Sequence, residues 1–251
     1  AGKVVIAYQD NGDSGKGKAI VGTVDPSDNS ISFGTAAEFD SGNTTRCTIA
    51  YDSNAQKVVI AYRDGNNSNY LTAIVGTVSG TSISFGSEAV YEEGNSEYNT
   101  IVYDTNANKV VIHYKDSGNS NYGTRVIGTV SGTSLTFDTP VVFEAAESNY
   151  VNSVFDSTNN RTVTVYVDAG NSYHGTAIVF KPGDIVTTRA QVASGKTIFV
   201  DTQGAISKNQ IGLTAGQSYF VQSDGTIGTT AADPSVFAGT AISATELIVK
   251  G

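Results

Sequence analysis

The chain has 251 residues, enough for a large core or two domains, with 39% hydrophobic residues, 27 glycines and a net charge of -9. That acidity argues against wrapping a nucleic-acid backbone, which takes a basic stripe to displace phosphate counterions. No apolar run approaches membrane-spanning length, nothing at the N-terminus resembles a signal peptide, and a single cysteine, Cys47, excludes an internal disulfide.

From the N-terminus, one phrase recurs: Lys3-Val4-Val5-Ile6-Ala7-Tyr8, Lys57-Val58-Val59-Ile60-Ala61-Tyr62, Lys109-Val110-Val111-Ile112-His113-Tyr114 and Arg161-Thr162-Val163-Thr164-Val165-Tyr166. Each is followed at once by Gln9-Asp10, Arg63-Asp64, Lys115-Asp116 or Val167-Asp168, and the starts lie 52 to 54 residues apart. A unit of this size that cannot cover its own apolar face stacks on copies of itself.

Within the second copy four extended segments are expected, at 57–62, 72–78, 82–91 and 98–103, separated by Gly-, Asn-, Asp- and Ser-rich turns. Continuous apolar runs such as Val4-Val5-Ile6 and Ala73-Ile74-Val75 fit strands covered on both faces, whereas Ile83-Ser84-Phe85 alternates and suits an outer strand. Phe33, Phe85 and Phe137 recur at one place per copy and are expected to pack between neighbouring sheets. Cys47 reads as a small buried hydrophobe, and His113, which stands where Ala7 and Ala61 stand, as a tolerated strand variation.

The predicted fold is all-β: a β-propeller-like array of four-stranded repeats over residues 1–182, in about three and a half copies, followed by a small β domain. The copies are 3–56, 57–108 and 109–160, with half a repeat at 161–181. Three and a half blades do not close a ring, and Ala1-Gly2-Lys3 matches Ala55-Gln56-Lys57 inside a turn, so the chain is expected to belong to a longer repeat protein or a multi-chain ring.

Beyond Lys181-Pro182-Gly183 the phrase stops, and residues 183–251 are predicted to form a capping or oligomerisation module. Its short segments are expected at 185–192, 196–201, 210–213, 217–222 and 236–249. Domains this small often depend on assembly.

The stretch Gly212-Leu213-Thr214-Ala215-Gly216-Gln217-Ser218-Tyr219-Phe220-Val221-Gln222-Ser223-Asp224-Gly225-Thr226, with Ala238-Gly239-Thr240-Ala241-Ile242-Ser243-Ala244-Thr245-Glu246-Leu247-Ile248-Val249-Lys250 after it, resembles the C-terminal module of large structural proteins of marine tailed phages. The repeats, with phrases such as Gly118-Asn119-Ser120-Asn121-Tyr122-Gly123-Thr124, resemble the same proteins. The resemblance implies a tail-fibre or virion-surface component, extracellular and in contact with other virion proteins; from that role follow the expectations that the repeat loops attach to a host-envelope polysaccharide and that the C-terminal module assembles the chain as a homotrimer. It carries over no defined binding residues.

Candidate ligand residues lie in the loop after the first strand of each copy: Asp64, Asn67, Asn69 and Tyr70; Asp116, Asn119, Asn121 and Tyr122; Asp168, Asn171 and Tyr173. Amides and carboxylates bridge sugar hydroxyls while a tyrosine face packs on the ring. The competing reading is turn chemistry, with Asp as cap and Asn and Gly in left-handed conformations. The same oxygens, with Asp40, Glu92, Glu93, Glu144 or Glu147, suit Ca²⁺, but without the regular acidic spacing of an EF-hand, and no cofactor is expected.

No Ser-His-Asp order, metal-ligand cluster or phosphate-cradling loop stands out, and the five arginines are too scattered for a sialidase-type site. The chain is therefore read as non-enzymatic. A secreted bacterial adhesin or filament subunit is the alternative, and a polysaccharide hydrolase the third reading.

Overall fold

The computed structural model describes residues 2–182 and, further on, 206–207, 214–215, 217–221, 227–229, 237–241 and 247–249. The chain divides into two compact units, Ala1–Pro182 and Gly183–Gly251. Among the described residues the regular structure is antiparallel β-sheet, with 3₁₀ turns at Asn11–Asp13 and Ala169–Asn171 and no α-helix.

Three sheets make up the first unit. The first holds β1 (Lys3–Asp10), β2 (Lys16–Asp25), β3 (Ser30–Phe33) and β4 (Ala37–Asp40). In the second, β5 (Thr44–Asp52), β6 (Lys57–Asp64) and β7 (Tyr70–Ser79) pair in order, and β8 (Ser82–Phe85) and β9 (Ala89–Glu92) share the outer edge of β7. The third runs β10 (Glu97–Asp104), β11 (Lys109–Asp116), β12 (Tyr122–Ser131), β14 (Val141–Asp156), β15 (Arg161–Asp168) and β16 (His174–Phe180), with β13 (Ser134–Phe137) also on β12.

The strand period is that of the sequence, but three details differ. The segment expected at 82–91 is two strands, because Gly86 breaks it: a Cβ there would collide with the Thr133 carbonyl of the next copy. Gly34 meets Thr81 in the same way. The segment at 98–103 pairs forward with β11, so the second and third sheets begin one strand ahead of the sequence repeat. The third and fourth copies are not separate sheets, since β14 pairs with β12 through its first half and with β15 through its second. Where the second copy has Glu92-Glu93-Gly94-Asn95, the third has Glu144-Ala145-Ala146-Glu147, which lacks the glycine and stays extended.

Aspartates close the turns at one end: Asp52, Asp104 and Asp156 accept from backbone N–H groups two and three residues on, and Gln56, Asn108 and Asn160 follow in the left-handed region.

Burial is greatest between sheets. Val58, Ile60, Tyr62, Ile74 and Ile83 of the second sheet pack on Ala19, Val21 and Phe39 of the first. The opposite face, with Val59, Ala61, Leu71, Ala73 and Val75, packs with Val110, Ile112, Tyr114 and Leu135 of the third. Each fully buried Val, Ile or Leu contributes about 1.5–3 kcal/mol, so these faces hold the array together. Cys47 is half-buried against the first cluster, and desolvation, the largest cause, pushes its thiol up to about 11, as befits an inert packing residue.

The end sheets leave opposite, complementary faces open. Phe85 and Phe137 pack edge-on or tilted against Phe39 and Tyr91 of the preceding sheet, but Phe33 stays exposed with Val4, Ile6, Val24 and Ile31. At the other end Val154, Val165 and Val179 are exposed.

In the second unit, β17 (Ile206–Ser207), β18 (Ser218–Val221), β19 (Ile227–Gly228), β20 (Phe237–Ala241) and β21 (Leu247–Val249) form one sheet ordered β17-β21-β20-β18-β19. The segment expected at 236–249 thus holds two antiparallel strands, with Ala241 opposite Leu247. Buried Tyr219 accepts a hydrogen bond from the Thr214 N–H through its hydroxyl at 2.9 Å. The segments expected at 185–192, 196–201 and 210–213 lie outside the described residues.

Candidate functional site

The predicted loop residues divide by depth. Asp64, Asp116 and Asp168 are buried and cap their turns, accepting from Asn66 and Asn67, from Asn119 and from Gly170 backbone N–H groups at 2.8–3.0 Å. Asn69, Asn121 and Tyr173 hold left-handed backbone at φ 62°, 62° and 59°. Asn67, Asn119, Asn171 and Tyr173 are exposed, whereas Tyr70 and Tyr122 are half-buried. The loops therefore present an amide in each copy and an exposed tyrosine in the last.

A second feature sits beside these loops. The last strand of each full copy, in β5, β10 and the second half of β14, carries a β-bulge: the register slips between Thr45 and Thr48, Glu97 and Thr100, and Asn149 and Asn152. The residue inside each bulge, Arg46, Tyr98 or Tyr150, has φ of 57°, 54° or 53°. Left-handed backbone costs an L-residue about 1–2 kcal/mol, and for a bulky side chain it is a true outlier. Strain repeated at three equivalent places aims three side chains outward.

These side chains form a row. The Tyr98 and Tyr150 ring centroids lie 5.0 Å apart, and the Arg46 guanidinium sits 5.2 Å from the Tyr98 centroid. Lys115 places its ammonium 5.2 Å from the same ring, 3.7 Å from Glu97 and 3.9 Å from Glu147. Desolvation first, then Tyr150 and Glu97, holds the Tyr98 hydroxyl above its ordinary range. Tyr150 is 68% exposed, its ring free on the outer side of the pair.

The bulges and loops share one end of the strands. The Gly65 N–H donates to the Asn43 carbonyl, the Ser117 N–H donates to Ser96 Oγ, and Gly94 approaches Gly118. Gln9 donates to Asn43 at 2.7 Å, while Arg63 bonds Asn95, so an amide or guanidinium lies beside each of these first two turns. An aromatic row edged by amides, cations and carboxylates can stack on an apolar ring face and bond its rim hydroxyls.

Sequence reasoning missed this row. Its signal was the 52-residue spacing of Arg46, Tyr98 and Tyr150, but no residue type there marks a left-handed backbone. An open, mostly apolar cleft lined by Lys3, Val5, Ile49, Tyr51 and Val58 lies away from these turns, beside β5. There the first sheet has no described counterpart of the strand that β10 supplies on the other side of β5. The chain matches no protein-family model and no curated protein.

Proposed function

We propose that the repeat unit is a non-catalytic attachment array that holds a cell-envelope polysaccharide across its bulge-and-turn end, as part of a tail fibre or virion surface. The observation that carries this reading is the row Arg46–Tyr98–Tyr150, because three strained bulges maintain it and, although Tyr98 also packs on the Phe143–Val151–Tyr166 cluster, Tyr150 stays exposed. Each contact would be weak, and equivalent copies along one glycan chain would supply avidity. The stacked sheets would take a propeller-like course, the inner edge formed by β5, β10 and the second half of β14.

Self-association is the second element of the proposal. The open faces bearing Phe33 and Val179 correspond to the two sides of the interface that successive copies make inside the unit, so copies would join head to tail. A bacterial adhesin or filament would use the same faces without any glycan.

A glycan array with the wild type, Tyr98→Ala and Tyr150→Ala tests attachment. Wild-type binding should fall about tenfold or more with either change, as loss of one aromatic platform costs roughly 1–3 kcal/mol. Flat wild-type responses across envelope polysaccharides would sink the glycan reading, and shortened oligosaccharides after long incubation would replace it with a hydrolase. Light scattering on Val179→Lys separates the adhesive roles: a smaller assembly supports head-to-tail association, and an unchanged one removes it.

A further inference from the structure

Between the first and second sheets, the carboxylates of Asp40, Asp64 and Glu88 bring one oxygen each to within 4.8 Å of the others. Asp40 and Asp64 are buried, and burying like charges together demands a counter-charge. The copies show how the position is treated elsewhere. Asp10 is the equivalent of Asp64 in the first copy, and there Lys18 brings its ammonium to 2.8 Å from Asp10 and 2.7 Å from Asp13. The residue at the Lys18 position in the second copy is Thr72, since Tyr8 faces Lys18 and Tyr62 faces Thr72 in matching registers.

Thr72 is fully buried, and its hydroxyl has no partner among the described residues. In the third copy the matching Thr124 hydroxyl points at Asp116, 3.5 Å away, so both counterparts of Thr72 aim at the turn aspartate. The third copy lacks a third acid, with Pro140 where Glu88 stands. There Glu92, whose acidity is weakened first by desolvation and also by Asp116, meets the crowding by holding its proton more tightly.

We propose that Asp40, Asp64, Glu88 and the Thr72 hydroxyl form a divalent-cation site, of the Ca²⁺ class, that joins the first two sheets where the first copy uses the Lys18 ammonium. The ligands are all hard oxygens, and two oxygens on opposite sides of a Ca²⁺ ion at about 2.4 Å each stand about 4.8 Å apart. Asp64 keeps one oxygen on the Asn66 and Asn67 N–H groups and has the other for the ion; Asp40 accepts from the Gly42 N–H on one oxygen and from the Thr44 hydroxyl on the other, whose second lone pair would face the ion. Tyr62, whose hydroxyl donates to Glu88 at 2.8 Å, provides a built-in optical probe. This site does not depend on the glycan reading.

The test uses the whole chain, with thermal unfolding in Ca²⁺ or EDTA and tyrosine-sensitised Tb³⁺ emission. Ca²⁺ should raise the melting temperature by several degrees and compete with Tb³⁺, and Glu88→Gln, a change at an exposed position, should weaken both by about tenfold or more. Thr72→Lys should reproduce the first copy: stable in EDTA and indifferent to Ca²⁺. No Ca²⁺ response in the wild type, or an undiminished response in both Glu88→Gln and Thr72→Lys, would overturn the site.

Discussion

Two packing layers of the array bury the same backbone positions with opposite chemistry. Between the first and second sheets, Ala19 meets Val58, Ile60 and Ile83, an apolar contact throughout. Between the third and fourth copies, the alanine positions become His113 and Arg125, directly opposite each other on β11 and β12. On the facing copy Ile101, Val110 and Ile112 give way to Ser153, Thr162 and Thr164. His113 contacts Ser153 through Nδ1 at 3.2 Å, Ser153 contacts Thr164 at 2.9 Å, and the imidazole lies edge-on to Phe143 and Phe180. One backbone thus accepts an apolar or a polar filling, provided that both sides change together. The polar version makes this layer sensitive to pH through His113.

Phe180 is the anchor of the polar layer. It replaces the glycine found at 22, 76 and 128, and its ring lies 3.8 Å from the Arg125 guanidinium. In the second sheet a Cβ at Gly76 would meet Ile83 of the outer strand, so the aromatic fills volume that an outer strand fills there. Phe180→Ala should cost about 3–5 kcal/mol in urea unfolding, the largest effect in this layer. A loss below about 1 kcal/mol would mean that the two layers are held by different means.

Acid should separate the layers next. Desolvation first, then Arg125, pushes His113 down to about 3 from an ordinary 6.5. The imidazole is therefore neutral when folded; its contribution is complete above pH 6.5 and is lost as pH falls from there toward 3. The expected loss is about 1.4 kcal/mol per pH unit below 6.5, or roughly 3 kcal/mol by pH 4.5. His113→Ala, the residue of the first two copies, should remove that slope. Subtracting the two urea-derived stability curves cancels Glu92, whose titration acts in the opposite sense. Parallel curves would show that His113 is solvated, and the polar layer open to water.

Much of this was written in the copies themselves. The period, the strand content and the turn aspartates follow from Lys57-Val58-Val59-Ile60-Ala61-Tyr62 and its kin, because apolar spacing and turn chemistry are local. The break at Gly86 was not legible, since the obstructing Thr133 carbonyl comes from the next copy. Nor were the bulges, as Tyr98 and Tyr150 carry no mark of their left-handed backbone. His113 looked like a tolerated variation when read alone. Only its pairing with Arg125, and with the change of Ile101, Val110 and Ile112 to Ser153, Thr162 and Thr164, shows a coordinated exchange.

The smallest expected effect sharpens the contrast most. Thr162 is fully buried, and its hydroxyl finds no partner among the described residues, whereas the other copies place Val4, Val58 and Val110 at this position. A buried hydroxyl left without a bond costs about 1–3 kcal/mol, and valine has nearly the same shape. Thr162→Val should therefore stabilise the chain by about 1 kcal/mol in urea, after allowing for an unfolded-state preference for the hydroxyl. Thr164, which is bonded to Ser153, should respond to the same change with a loss of similar size. If both substitutions stabilise, the polar layer is a defect that the array tolerates; if only the first does, the Ser153–Thr164 contact belongs to an organised network around His113.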